Sequence, residues 1–520
     1  MRRIRLGIRA VATALLLALV AACAPLSSGG GGRAGGPSGP ADPDAIFGWA
    51  HIVGLSRFDP HRATSSYDNT FLFLTYDRLV HVDYDLNPVP GLATSWEFSP
   101  DGKALDLRLR EGVTFHDGTP FDAAAVKANI ERAKTVEGSS VRNELAAVQS
   151  VEVTGPSAVR LVLSTPNAAL LGILSDRAGA MVSPAAFDNP DLDQAPVGAG
   201  MFRVTSYQPQ NKIEYRRVEG YWDPAAVKVG GVDMYIYVDP ATRLNALRTG
   251  EIDGAAIAPD QVPEAEAAGL RLERGRSNNF YFFHPNRARS EFGRVEVRQA
   301  LAHAINRKAL VDSVFRGYGT VSEQPLPDWS FAHNADLPAE PHPYDPERAR
   351  QLLAQAGLPN GFTFEALIPT SPDSIRIAEA VQADLKAVGV TMTTRVMEGQ
   401  QLTDVFFARK EGDLLMGSGG GRADPAQTTQ LRYMPTGFNN PSGISTPTIE
   451  RLQAEVLATT DQQQRAAIFR QMMQEVSDQV LDGVLFYPQA PVALSGDVLT
   501  FRPALSDRPE FRGVEKAGPA

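Results

Sequence analysis

One cysteine stands among 520 residues, so no disulfide can form within the chain, and any stability must come from burial and hydrogen bonding. After residue 22, no uninterrupted apolar run approaches the roughly 18 residues that a membrane-spanning helix needs. Basic clusters are missing too. With a net charge of −10 and no Lys/Arg run beyond the N-terminus, the surface argues against a nucleic-acid partner, whose phosphates need clustered cations. Three catalytic signatures, Gly-x-Ser-x-Gly, His-Glu-x-x-His and the phosphate-loop Gly-x-x-x-x-Gly-Lys, do not occur. The eight histidines (51, 61, 81, 116, 284, 303, 333 and 342) form no i, i+2 or i, i+4 pair, so neither a metal centre nor a cofactor is expected. No period of 20–50 residues repeats, which excludes solenoids and propellers.

What is present begins at the N-terminus. Arg2, Arg3, Arg5 and Arg9 precede an uncharged, mostly apolar stretch over residues 11–22, too short to span a bilayer but suited to a signal peptide over residues 1–22. It ends in Val20-Ala21-Ala22-Cys23, which resembles the lipobox of bacterial lipoproteins. That resemblance implies lipidation of Cys23, and a mature chain anchored to the outer face of the cytoplasmic membrane. An ordinary signal peptide cut after Ala22 is the alternative. Being the sole cysteine, Cys23 favours lipidation, because a lone exported thiol has no partner and an oxidation liability. Residues 27–43 (SSGGGGRAGGPSGPADP) have almost no apolar side chains, and residues 23–43 therefore read as a flexible tether.

Over the full sequence, a composition of 43% hydrophobic and 21% charged residues is that of an ordinary globular chain, and the length suits two or three domains. Residues 104–110 (ALDLRLR) alternate as a half-buried strand does. Residues 122–133 read as a helix capped by Asp122, with Val126 and Ile130 on one face. A hairpin turns at Gly155-Pro156 within residues 151–163, and residues 232–238 (VDMYIYV) form a strand before a helix that opens at Asp239. Amphipathic helices follow at 295–315, 346–357 and 375–389, with a strand at 390–397. The mixture indicates an α/β or α+β protein of more than one domain.

Several segments, in order, resemble the extracellular solute-binding proteins of family 5, the peptide, nickel and opine binders of ABC importers. They are Phe58-Asp59-Pro60-His61, residues 75–80 (TYDRLV), residues 90–96 (PGLATSW), residues 107–110 with 113–120 (VTFHDGTP), residues 197–200 (VGAG), Tyr221-Trp222, residues 250–253 (GEID), residues 297–310 (VRQALAHAINRKAL) and Gly317-Tyr318-Gly319. The likeness spans about residues 55–490. It implies an α/β, type II periplasmic-binding-protein fold: two hinged lobes plus an additional α+β domain. The implied division is lobe I over 44–83, 166–270 and 486–520, the additional domain over 84–165, and lobe III over 271–485. It also implies a monomer that binds a peptide or other small polar or anionic molecule without chemistry. The ligand would pass to an ABC permease with its ATPase subunits. A lipoprotein hydrolase, or a chaperone-like or adhesive lipoprotein on the same fold, are the alternatives from other functional classes.

Trp96, Trp222, His116 and Asp117 stand in these motifs, but packing and turn roles account for them better than ligand contact, and Arg298 reads as a structural cation. The resemblance points for ligand contact to Thr64, Ser65, Ser66 and Tyr67, then to Phe282, His284 and Asn286 at the end of a lobe strand, and to the loop 417–425. In peptide-binding members that loop carries a tryptophan and an aspartate that pairs with the peptide's α-amino group. Here, counting back from Pro425, Ser418 and Gly421 hold those places; counting forward from Asp413, Arg422 holds the acid's place. Arg422 would favour an anion through bidentate hydrogen bonds, and Asp424 is the candidate for a displaced acid.

Overall fold

Strand Ile46–His51 (IFGWAH) is buried along nearly its whole length, as a strand covered on both faces must be. It runs parallel to Gly231–Ile236 on one side and Gly254–Ala256 on the other. Antiparallel strands complete a seven-stranded sheet in the order Arg271–Arg274, Pro491–Leu494, Gly254–Ala256, Ile46–His51, Gly231–Ile236, Lys212–Arg217, Phe202–Gln208. Beginning, middle and end of the chain thus share one lobe. Its core packs Phe501 and Phe511 of the C-terminal segment against Phe47 and Trp49. This is a computed structural model, and it describes residues 39–503, 505 and 508–518. Cys23, the signal peptide and the tether up to residue 38 lie outside the described residues.

A second lobe holds a six-stranded sheet ordered Gly319–Val321, Gly483–Pro488, Asn279–Pro285, Leu414–Gly420, Thr363–Pro369, Thr391–Met397. The expected helix over 295–315 is two, Val295–Ala304 and Arg307–Val314, because the Asn306 side chain caps a new start at Ala309 N. A third unit is a four-stranded antiparallel sheet, Ala93–Phe98, Ala104–Leu109, Ala158–Leu163 and Val148–Gly155, under the helix Ala123–Thr135. The helix starts where expected, with Asp122 accepting from Ala125 N at 2.9 Å. Elsewhere five helices open on a capping residue followed by proline, at Asp239, Asp345, Ser371, Asp424 and Thr446. Proline costs nothing at that first helical position, where its missing N–H would have no partner.

Three boundaries move. Arg271–Arg274 pairs with Pro491–Leu494 in the first lobe, and Gly483–Pro488 belongs to the second, so the chain changes lobe at 275–278 and 489–490 rather than at 270 and 485. Gly275 N donates to Ala490 O at 3.2 Å, holding the two crossovers together. At the start, Ala41 bridges Ala517, and Asp42 N donates to Lys516 O at 2.8 Å, so the expected tether is docked over residues 41–43. Composition cannot see a strand partner at the far end of the chain. Among the described residues, no helix is long and apolar enough to cross a membrane.

Candidate functional site

In α/β sheets, ligands collect beyond the carboxyl ends of parallel strands. In the first lobe Ile46–His51, Gly231–Ile236 and Gly254–Ala256 all end on one edge. In the second, Thr363–Pro369, Thr391–Met397 and Leu414–Gly420 do the same. The segments past these ends meet across a crevice. At one end, a cavity of about 1300 Å³, counting its open mouth, is walled by residues 239–241 and 258–261 from the first lobe and by 313–316, Pro372, Asp373 and Arg376 from the second. Nearby, burial pushes the Tyr281 phenol up, with Asp373 and Tyr67 adding to it. At the other end, Arg422 Nη1 of the second lobe lies 3.7 Å from Glu144 Oε1 of the four-stranded unit.

Between Arg422 and the lobe crossover lies a smaller cavity, about 440 Å³ counting its open mouth, lined by Asn69, Phe73, Arg78 and Asp176 on one wall and Asn278 and Ala423 on the other. The C-terminal segment adds Arg508 and Glu510. Asn69 Nδ2 donates to Asp176 Oδ1 at 2.9 Å, and Arg508 Nη2 donates to Asn278 Oδ1 at 2.6 Å. Burial works against charge on Asp176, yet Arg177, then Arg422 and Arg508, hold its carboxyl below the usual range. Burial raises Glu144, with Arg422 opposing and Asp176 adding. In the wall formed by Asn69, Phe73, Arg78 and Asp176, two buried polar atoms find no hydrogen-bond partner, the acceptor Asn69 Oδ1 and the donor Arg78 Nε.

Segment 64–67 belongs to the first lobe, with Tyr67 close to Tyr281 of the second. Arg177 donates to the carbonyls of Ala63 and Ser65, and the Asp68 carboxylate accepts from Ser56 N and Ser65 N. Thr64 and Ser66 are exposed and Tyr67 is half-buried, whereas Ser65 Oγ is engaged as a cap to Tyr67 N. On the facing lobe Ser418 is exposed near its strand end. Gly421 is buried, its N–H donating to Asn278 O at 2.8 Å and its carbonyl accepting from Asn278 Nδ2 at 2.9 Å. Arg422 is one-third exposed.

Four expected contacts are core groups instead. Strand Asn279–Pro285 runs antiparallel to Leu414–Gly420, with Asn279 opposite Gly420 and Pro285 opposite Leu414. The crevice therefore meets the strand's beginning; Phe282 lies buried at mid-strand, and His284 and Asn286 lie at and just past its far, buried end. Phe282 packs under Arg432, whose guanidinium carbon is 4.5 Å from the ring centre. His284 Nδ1 is 3.0 Å from Asp482 Oδ1, and Arg432 Nε donates to Asp482 Oδ2. These partners outweigh burial and hold the Asp482 carboxyl well below its usual range. Asn286 Nδ2 donates to the carbonyls of Lys410 and Gly412. Asp424 is no displaced acid: it caps Pro425–Tyr433 through Ala426 N and forms a buried, bidentate pair with Arg465 at 2.6 and 2.8 Å.

The motif residues read as structural are so placed. Trp222 Nε1 donates to Asp77 Oδ2 at 2.6 Å under the Arg110 guanidinium, and Asp117 accepts from Thr119 N and Ser183 Oγ. Arg298 donates to the carbonyls of Phe292, Gly293, Gln479 and Val480. Asn69, Glu144, Asp176 and Arg508 went unread. They come from four separate stretches, and no local spacing links them. Among the described residues, no group of three His, Cys, Asp or Glu side chains could hold a metal ion.

Comparison with known proteins gives a consistent set. The profile of bacterial extracellular solute-binding proteins, family 5 Middle, matches residues 87–441. The glutathione-binding protein GsiB of Pectobacterium atrosepticum is 31% identical over 441 residues, covering 81% of this chain and 84% of that protein. GsiB of Escherichia coli is 30% identical over 432 residues, covering 80% and 84%. Among solved structures, NikA from Brucella suis in complex with Fe(III)-EDTA superposes with a TM-score of 0.80 at 26% identity, over 91% of this chain and all of that one. DppA from Helicobacter pylori with the peptide STSA gives 0.79 at 23% identity, over 91% and 98%, a likeness of fold.

Proposed function

Because the chain belongs to the bacterial extracellular solute-binding proteins of family 5, we propose that it captures a small, acidic, peptide-like solute between its lobes. It then delivers that solute to the permease of an ABC importer. Glutathione is the first candidate. The observation that carries this reading is the loop after strand Leu414–Gly420: it offers one partly exposed arginine, Arg422, and no free acid, since Asp424 is committed to Arg465. A guanidinium in a closing crevice favours a carboxylate and disfavours a lone amine. Glutathione brings two carboxylates and one ammonium, and relatives about 30% identical carry its name. The protein works as a monomer outside the cytoplasmic membrane, held there by acyl chains on Cys23.

The test is calorimetric titration of the purified protein with glutathione, with neutral and cationic dipeptides as comparison. Saturable glutathione binding is expected, accompanied by a smaller radius of gyration as the lobes close. Arg422→Ala should weaken it by about 2–5 kcal/mol, the usual cost of removing one partner of an enclosed charge pair. Preference for the cationic dipeptide, or an Arg422→Ala effect within ~0.5 kcal/mol, would overturn the acidic-solute reading.

A further inference from the structure

Arg422 also lines a second chamber, of about 1350 Å³ counting its open mouth, between the four-stranded unit and the second lobe. Resting on the reading above, we propose that the captured solute carries an uncharged apolar substituent, a thioether on a glutathione-like peptide, and that this chamber receives it.

The walls belong to parts that the crevice separates. One is formed by Ala146, Ala147 and Pro166, which flank the strands Val148–Gly155 and Ala158–Leu163. The other is formed by Leu431 of the helix Pro425–Tyr433, Phe438 of the loop after it, and Leu457 of the helix Pro447–Ala458. Two contacts set the distance between the walls. Ala168 N donates to Leu457 O at 2.8 Å, and Gly172 lies so close to the facing loop that an added Cβ would stand 2.6 Å from Asp424 Cβ.

Phe438 leaves 53% of its surface open, yet its place is fixed. Asn439 N donates to Leu431 O at 3.0 Å, and the ring packs on Phe407 with centroids 5.7 Å apart. A large ring held firmly and left uncovered beside a cavity still has apolar surface to withdraw from water. Leu431 and Leu457, both half-buried, extend that surface. The polar groups around it, Asn143, Gln427 and Gln430, are neutral, and Glu144 faces Arg422. Apart from that pair, no charged side chain among the described residues lines the chamber. A charged substituent would exchange water for neutral partners, whereas an apolar one exchanges it for Leu431, Phe438 and Leu457. Glutathione needs its carboxylates and ammonium for polar contacts, so its sulfur is the position free to carry such a group. With the four-stranded unit docked on the first lobe through Asn129 and Arg132, a substituent held between these walls also favours closure.

The experiment titrates glutathione and its S-methyl, S-butyl and S-hexyl thioethers calorimetrically into the wild type, Leu431→Gln and Phe438→Ser. Wild-type affinity should rise with chain length. S-hexylglutathione should bind at least about tenfold more tightly than glutathione, a 1.4 kcal/mol difference that about two buried methylenes supply. Each substitution should cut the affinity ratio of S-hexylglutathione to glutathione by at least about threefold, because it removes part of the apolar wall. Phe438 is more than half exposed, so Phe438→Ser gives the answer should Leu431→Gln fail to fold. Wild-type binding of S-hexylglutathione no tighter than that of glutathione would overturn the chamber's role and leave the glutathione reading intact. A ratio unchanged by both substitutions would place the hexyl chain elsewhere and overturn it too. Binding of none of the four solutes would remove the acidic-solute reading, and the chamber's role with it.

Discussion

His61 is completely buried beside Asp59, and its Nδ1 accepts from Arg132 Nη1 at 3.0 Å. Burial pushes the imidazole down to about 4, Asp59 opposing and Arg132 adding. In the unfolded chain the ring returns to its ordinary value near 6.5. Between those two values the unfolded state holds a proton that the folded state does not. Stability is therefore complete above pH 6.5 and falls as pH drops toward 4, by about 3 kcal/mol for this one residue. His61→Gln, which still accepts from Arg132 but does not titrate, should lose correspondingly less stability over the same range. Urea unfolding of both proteins between pH 7 and 4.5 checks this, and parallel losses would refute it. At this scale, sequence reading succeeded where chemistry was local: Asp122 had to cap, and Asp117-Gly118 had to turn. It failed at His284 and Phe282, because which end of a strand meets a crevice depends on pairing direction, and that lies with a partner more than a hundred residues away.

At the scale of the element, the helix Ala123–Thr135 joins two units. Val126, Ile130 and Ala133 face its own sheet. On another face, Asn129 Nδ2 donates to Val182 O at 2.8 Å and its Oδ1 accepts from Val182 N at 2.9 Å, so a side chain imitates a strand neighbour. Arg132 adds a two-point pair with Asp59, and together they dock the four-stranded unit on the first lobe. Amphipathic reading finds the apolar stripe of Val126 and Ile130 but not the docking face of Asn129 and Arg132, since a docking face rich in polar groups has the same pattern as a wet one. Asn129→Ala leaves a buried N–H and C=O unpaired and should cost about 2–6 kcal/mol, at about 1–3 for each orphaned group. Hydrogen exchange should quicken at residues 180–183, while strands Ala104–Leu109 and Ala158–Leu163 keep their protection. Uniform quickening across that sheet would place the loss inside the unit instead.

For the whole molecule, the two lobes and the extra unit are implied by the family resemblance that the ordered motifs over residues 55–490 carry, whereas hydrophobic periodicity and turn chemistry, being written locally, indicate only a mixed α/β chain of more than one domain. The crossover positions were not legible, since a strand's sheet membership is decided by remote pairing. Anchoring is tested at this scale as well. Replacing Cys23 with serine should release intact protein from the membrane fraction into the soluble extracytoplasmic fraction. Retention of the Cys23→Ser protein in the membrane fraction would exclude the lipid anchor.

The strand Pro491–Leu494 lies between Gly254–Ala256 and Arg271–Arg274, and Phe501 and Phe511 close the core beneath Ile46–His51. In the order in which a ribosome makes the chain, the first lobe is begun first and finished last. The four-stranded unit and the second lobe consist of nearly contiguous segments and can settle as soon as they emerge, whereas the first lobe waits with an unpaired strand edge at Gly254–Ala256. A copy cut short before residue 491 therefore carries a permanent flaw in the lobe that bears segment 64–67. Such a copy keeps an open sheet edge, and only chains that carry the strand Pro491–Leu494 complete the first-lobe sheet.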